Sequence, residues 1–267
     1  MSERKFYIAI VNEWGPVWKK GFKGKITKSF DGLDFDKIRN NGDYFIQRAL
    51  GPSCQFFKNN KLNFIHSDSG YFNQPYDLNP KGKKLYHRTA VNAFQNEYIL
   101  DVPGDRFSQL NFPINEWSTK GDHILLAPPS GKTLNFLGAG ITQDQWIETF
   151  MINIKKHTDR PIKIRLKRGG RQERHFDFPL HEDLKNCHCV VTESSIIASE
   201  AVMFGTPACV LAENAAKEMC ITDLKNIENP IRPDRTQWLY SLAYQQFTPE
   251  EITNGTAKRI LEETGQI

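Results

Sequence analysis

Apolar residues come in short runs along this chain, and their rhythm differs between its two halves. In the first half, runs at 6–11 (FYIAIV), 43–46, 62–66 and 98–102 have the length of strands. Long connections rich in Gly and Asn separate them, and connections of that kind commonly carry function. In the second half, strand-like runs at 123–127 (HILLA), 161–166, 188–192 and 207–211 alternate with helical patterns at 143–157, 181–186 and 195–204. Such alternation implies right-handed crossovers and a parallel sheet. Thr142 with Gln145 three residues on forms a capping-box pattern, and Thr248-Pro249-Glu250-Glu251 opens the last of two further helical patterns, at 234–245 and 248–263. Pro, Asn, Ser and Gly cluster at 112–122, so two lobes are expected: 1–118, and 119–267 with the C-terminal helices.

A length of 267 residues with 39% hydrophobic content is enough to bury a sizeable core in each lobe. FYIAIV is too short and too poorly flanked for a signal peptide, and no apolar run approaches the roughly 18 residues needed to span a bilayer. A cytoplasmic protein without membrane partners is expected, and a monomer. The five cysteines (54, 187, 189, 209, 220) form no CxxC pair and fall mostly in strand-like runs, where they act as small hydrophobes. No metal site is expected: strand alternation sends Cys187 and Cys189 to one face and His188 to the other.

The net charge of +4 is modest, but its placement is uneven. Lys19, Lys20, Lys23, Lys25 and Lys28 fall between Trp14 and Ser29 with no acid among them, interleaved with Trp14, Trp18 and Phe22. Nine Lys or Arg against two acids lie between Lys155 and Arg174. Clusters of this kind can attract a polyanion, or simply form a solvated rim.

In an open parallel sheet, ligands settle beyond the carboxyl ends of the strands. The residues there form a basic, hydroxyl- and glycine-rich rim: Ser130 and Lys132 after the first strand of the second half, Arg165 and Lys167 at and after the second, Thr192, Ser194 and Ser195 at and after the third. Ser194 and Ser195 stand where the next helix begins, which favours an anion such as a diphosphate. Glu200 lies in a helix otherwise built from small and apolar residues, and needs a partner there. A ribose diol would supply two donors; capping by the serines and pairing of Glu200 with a Lys or Arg would account for the same residues. Gly131-Lys132-Thr133 also matches the tail of a phosphate-binding loop and would make the protein a kinase or NTPase, a kinase of modified DNA being one such reading. Leu126 stands where that motif needs Gly, Pro128 and Pro129 remove amides, and LNFLGAG is a poor helix start.

The segment TESSIIASEAVMFGTP (192–207), with Ser-Ser, then Glu-Ala, then Gly-x-Pro, resembles the donor-nucleotide half of GT-B glycosyltransferases over roughly residues 120–211. The resemblance implies an α/β fold of two Rossmann-like lobes with a cleft between them. It also implies a nucleotide-diphosphate sugar as co-substrate, a UDP-sugar by expectation, with Glu200 on the ribose and no bound cofactor. In the first half, NFIHSDSGYF (63–72) places His66 and Asp68 at a strand end before a glycine, where a carboxylate could take a proton from an attacking hydroxyl. Tyr71, Arg88 and Asn92 add hydrogen-bonding and cationic groups. This stretch, with the Tyr86-x-Arg88-x-x-x-Asn92 spacing, resembles bacteriophage DNA glycosyltransferases that modify hydroxymethylated pyrimidines. By that resemblance Asp68 is the base, with His66 a second candidate, DNA bearing 5-hydroxymethylcytosine is the acceptor, and the setting is an infected host cell. Trp18, Lys19, Lys20, Lys23 and Lys25 would then contact the nucleic acid, on a segment that Gly15, Gly21 and Gly24 allow to move. The alternatives are a cell-surface glycan as acceptor, the kinase, or a non-catalytic DNA-binding protein.

Overall fold

The computed structural model describes residues 4–10, 12–72, 86–166 and 180–267. Among them are strands β1 (Phe6–Ile8), β2 (Lys25–Ile26), β3 (Tyr44–Arg48), β4 (Asn63–Ser69), β5 (His87–Val91), β6 (His123–Ala127), β7 (Ile162–Ile164), β8 (Cys187–Thr192), β9 (Ala208–Val210) and β10 (Gln246–Phe247). They form two sheets, ordered β10-β5-β4-β3-β1-β2 and β7-β6-β8-β9, and the chain divides into two compact α/β units around them.

In the first unit, β2, β1, β3 and β4 run parallel, while β5 and β10 add an antiparallel edge. Strand alternation splits the apolar residues between two faces. Phe6, Ile8, Tyr44, Ile46 and Ile65 pack with Trp18 and Phe22 of helix Gly15–Phe22 and with Phe247, Ile252, Ala257, Ile260 and Leu261 from the C-terminus. Phe45 and Phe64 meet Ile38 and Phe57 on the other side. Each such fully buried side chain contributes on the order of 1.5–3 kcal/mol.

Three expectations need correction here. The Trp14–Ser29 stretch is a helix followed by β2 rather than a loop, because Trp18 and Phe22, four apart, supply an apolar stripe that the sheet covers. Residues 98–102 form no strand. Their backbone is satisfied by side chains instead: Leu100 N donates to Ser241 Oγ (2.9 Å), and Gln237 Nε2 donates to the carbonyls of Leu100 and Val102. The C-terminal helices, expected in the second lobe, belong to the first unit from Gln237 onward. Arg106 fastens this segment through Glu251 (2.7 Å) and the carbonyls of Ala243 and Gln246.

The second unit comprises Asn111–Thr236 and has an all-parallel sheet. Ile124, Leu126, Cys189, Val191 and Cys209 make one core with Leu134, Trp146 and Ile154. All five cysteines of the chain are free and buried. The expected capping box is present at Thr142/Gln145, and the structure adds a second at Thr248/Glu251. Helix Gly131–Leu137 follows β6 where a poor helix start was expected, since Ser130 caps it by accepting from Thr133 N. The long C-terminal pattern divides at Gly255, whose φ of 89° separates helices Pro249–Thr253 and Thr256–Glu263. No helix among the described residues is long and apolar enough to cross a membrane.

Candidate functional site

The chain order of the second sheet reverses at β6, with β7 on one side and β8 on the other. Ligand crevices form at such a switch point, outside the carboxyl ends of the strands. Ala127 pairs with Thr192 at the last rung of β6 and β8, so Pro128-Pro129-Ser130 and Glu193-Ser194-Ser195 leave neighbouring strands at one edge.

Thr192 is fully buried and donates its hydroxyl to Ala127 O at 2.8 Å. It staples the two strands below the rim, so its expected place as a donor contact is corrected. Ser130 and Lys132 stand beside it, Ser130 as a helix cap and Lys132 exposed. Ser194 and Ser195 are half-buried. Ser195 Oγ accepts from Ile197 N (3.3 Å), and Ser195 O accepts from Asn214 Nδ2 (3.0 Å). Glu200 lies on helix Ile197–Met203. Its charge is felt by Arg165, whose pKa is lowered chiefly by burial and raised in part by Glu200. Arg165 also pairs with Asp183, so this cation is not reserved for a ligand. Lys167 lies outside the described residues.

Helix Ile197–Met203 stops at Gly205 for a physical reason. Gly205 has φ 80°, and a Cβ there would overlap the backbone of Glu116. Ser118 N donates to Gly205 O at 2.7 Å as the 115–118 segment passes.

Glu193 was absent from the residues singled out by sequence, although it is the first residue beyond β8. Burial raises its pKa, a hydrogen bond from Trp146 lowers it in part, and its Oε2 is buried with no hydrogen-bond partner among the described residues. Glu193 is thus a half-satisfied carboxyl at the switch point.

In the first unit, Asp68 ends β4 with about a third of its side chain exposed (31%). Its Oδ1 accepts from Ser69 N (2.7 Å), and Arg88 Nη2 lies 3.8 Å from Oδ2. Arg88 is itself buried, donating to Ser69 O and lying over the Tyr71 ring. Four expected contacts are corrected. Trp18 is a core residue with no exposed surface, and Tyr71 is 1% exposed, so neither offers a face to an acceptor. His66 is fully buried, with Nδ1 at 3.2 Å from Phe94 O; burial and then Arg88 lower its pKa to about 4. Asn92 sits at the opposite end of β5, where its Oδ1 accepts from Phe64 N, about 13 Å along the strand from Arg88. The Tyr-x-Arg-x-x-x-Asn spacing therefore joins two ends of one strand. Lys19, Lys20, Lys23 and Lys25 are exposed.

No protein-family model matches the chain, and no curated protein matches it in sequence. The fold is nevertheless a known one: the two-unit, Rossmann-like α/β fold of glycosyltransferase structures. Two of the solved structures that share it are of Thermosulfurimonas dismutans KpsC. The beta Kdo 2,7 transferase aligns with a TM-score of 0.51 and 11% identity, covering 96% of this chain and 99% of that one. The beta Kdo 2,4 transferase aligns with a TM-score of 0.54 and 12% identity, covering 98% and 99%.

Proposed function

We propose that the protein is a glycosyltransferase that moves a sugar from a nucleotide sugar, taken to be UDP-linked, to an acceptor hydroxyl. The observation that carries this reading is the β6/β8 switch point, where Ser130, Ser194, Ser195 and the half-satisfied Glu193 gather at one edge of a parallel sheet. The serine hydroxyls would donate to the diphosphate, with Glu193 and Glu200 accepting from sugar or ribose hydroxyls. Asp68 would take the proton from the acceptor hydroxyl as its oxygen bonds to the anomeric carbon and the diphosphate leaves with the bonding electrons. Arg88 holds the Asp68 carboxylate in place. No metal or bound cofactor enters this scheme. The fold shared with two Kdo transferases supports a saccharide acceptor.

A second reading, with hydroxymethylcytosine in DNA as acceptor, draws on the exposed lysines of the 19–28 stretch. It loses the aromatic contact it relied on, because Trp18 and Phe22 are core. One experiment serves both. UDP and UDP-sugars are titrated into the protein by calorimetry, and nucleotide release is then followed with saccharide acceptors and with hydroxymethylcytosine DNA. UDP is expected to bind, with Glu193→Ala weakening it roughly tenfold, the equivalent of one hydrogen bond. Asp68→Asn is expected to abolish transfer while leaving UDP affinity unchanged. Full transfer by Asp68→Asn would remove Asp68 as the base, and absence of any nucleotide binding would remove the donor site.

A further inference from the structure

The first sheet has its own switch point. β2 lies on one side of β1 and β3 on the other, and ligands of such sheets settle beyond the carboxyl ends of the strands at the switch, here β1 and β3. Arg48 is the last residue of β3, at that edge.

Its guanidinium differs from those of the other buried or half-buried arginines among the described residues. Arg88 and Arg106 are held by Asp68 and Glu251, Arg160 and Arg165 by Glu228 and Asp183. Arg232 and Arg235 donate to backbone carbonyls. For the Arg48 side chain, no carboxylate and no hydrogen-bond acceptor stands among the described residues, and its Nε is closed off from solvent. What it does have is an aromatic support. Its Cζ lies 5.0 Å from the centroid of Trp14, and Trp14 in turn packs on His87 at 4.3 Å. A buried N–H without an acceptor costs on the order of 1–3 kcal/mol. The two Nη groups are not closed off in this way and are open to an incoming anion.

A Cβ built on Gly51 meets nothing within 4 Å, and helix Pro52–Asn59 begins there without a side-chain cap.

The geometry points to an oxyanion site: Arg48, steadied by Trp14, receives a carboxylate or phosphate carried by the acceptor, which is therefore a charged sugar. The planar fork of a guanidinium matches two oxygens of a terminal carboxylate or phosphate. A nucleic-acid backbone would instead follow the exposed lysines. The word acceptor rests on the proposed transferase reading; the anion site itself does not.

Calorimetric titration of the full chain, without nucleotide, with glucuronate, glucose 6-phosphate, glucose and a short DNA duplex tests the inference. Both charged sugars should bind and glucose should not. Arg48→Gln should weaken the charged sugars roughly tenfold or more while UDP affinity is retained, which shows that the fold survives. Arg48→Lys, which keeps the charge but loses the fork, should fall between. Trp14→Phe should keep much of the binding that Trp14→Leu loses. Equal binding of glucose, undiminished anion binding by Arg48→Gln, or preference for the duplex would each overturn it. Failure of UDP to bind the unaltered protein would remove the donor reading and leave the anion titrations standing.

Discussion

His66 shows how burial decides what a side chain can do. As the penultimate polar residue before Asp68 in the sequence it has the makings of a base, yet in the fold it is enclosed, with Phe94 against its ring edge. Its pKa in the folded protein is about 4, against about 6.5 in the unfolded chain. The neutral imidazole is therefore the native form, and the unfolded chain binds a proton that the native protein refuses. The stability this residue contributes is complete above about pH 6.5 and is lost as pH falls toward 4, amounting to about 3 kcal/mol. Urea unfolding at pH 7, 5 and 4 should show the acid-side loss shrinking by about that amount in His66→Gln. An equal loss in both proteins would mean that the imidazole titrates normally. Asp68 is legible in sequence as a residue at a strand end, and Glu193 holds the same kind of position without having been singled out. Their environments are not legible, because Arg88 and Trp146 come from other parts of the chain.

At the scale of elements, the helix Gly15–Phe22 carries most of the lesson. Its glycines read as hinges of a basic loop. In the fold, Gly21 is where this helix meets helix Pro249–Thr253, so closely that a Cβ would coincide with the backbone carbonyl of Ile252. Gly21→Ala is expected to lower stability by about 1–3 kcal/mol, the usual cost of forcing extra volume into a packed contact. A denaturation midpoint equal to that of the unaltered protein would refute this close approach. The second unit was more legible, since its strands and helices alternate and each local signal agrees with its neighbour. Capping at Thr142 and the switch edge followed from those local signals. β5 was missed because its residues, His87 to Val91, are polar or small at four positions of five and become buried only through β4 and β10.

At the scale of the whole molecule, the first unit is not complete without the end of the chain. β10 closes the sheet edge against β5, and Phe247, Ile252, Ala257, Ile260 and Leu261 fill its core. A chain ending at Thr236 should lose the cooperative unfolding transition of the first unit and its near-ultraviolet circular dichroism, and bind a hydrophobic dye. A truncated protein with a native-like transition would contradict that assignment. What the residues alone determined is the local order: which runs make strands and helices, the α/β class, the caps, and the shared edge that follows strands β6 and β8. Those depend on periodicity and on neighbours a few positions away. Tertiary structure alone decided that the C-terminal helices return to the first sheet, that Trp18, Tyr71 and His66 are enclosed, and that Arg48 is left with an aromatic neighbour and no anion. Each of these is set by contacts between residues far apart in the chain, where burial and charge pairing depend on which partners the fold brings near.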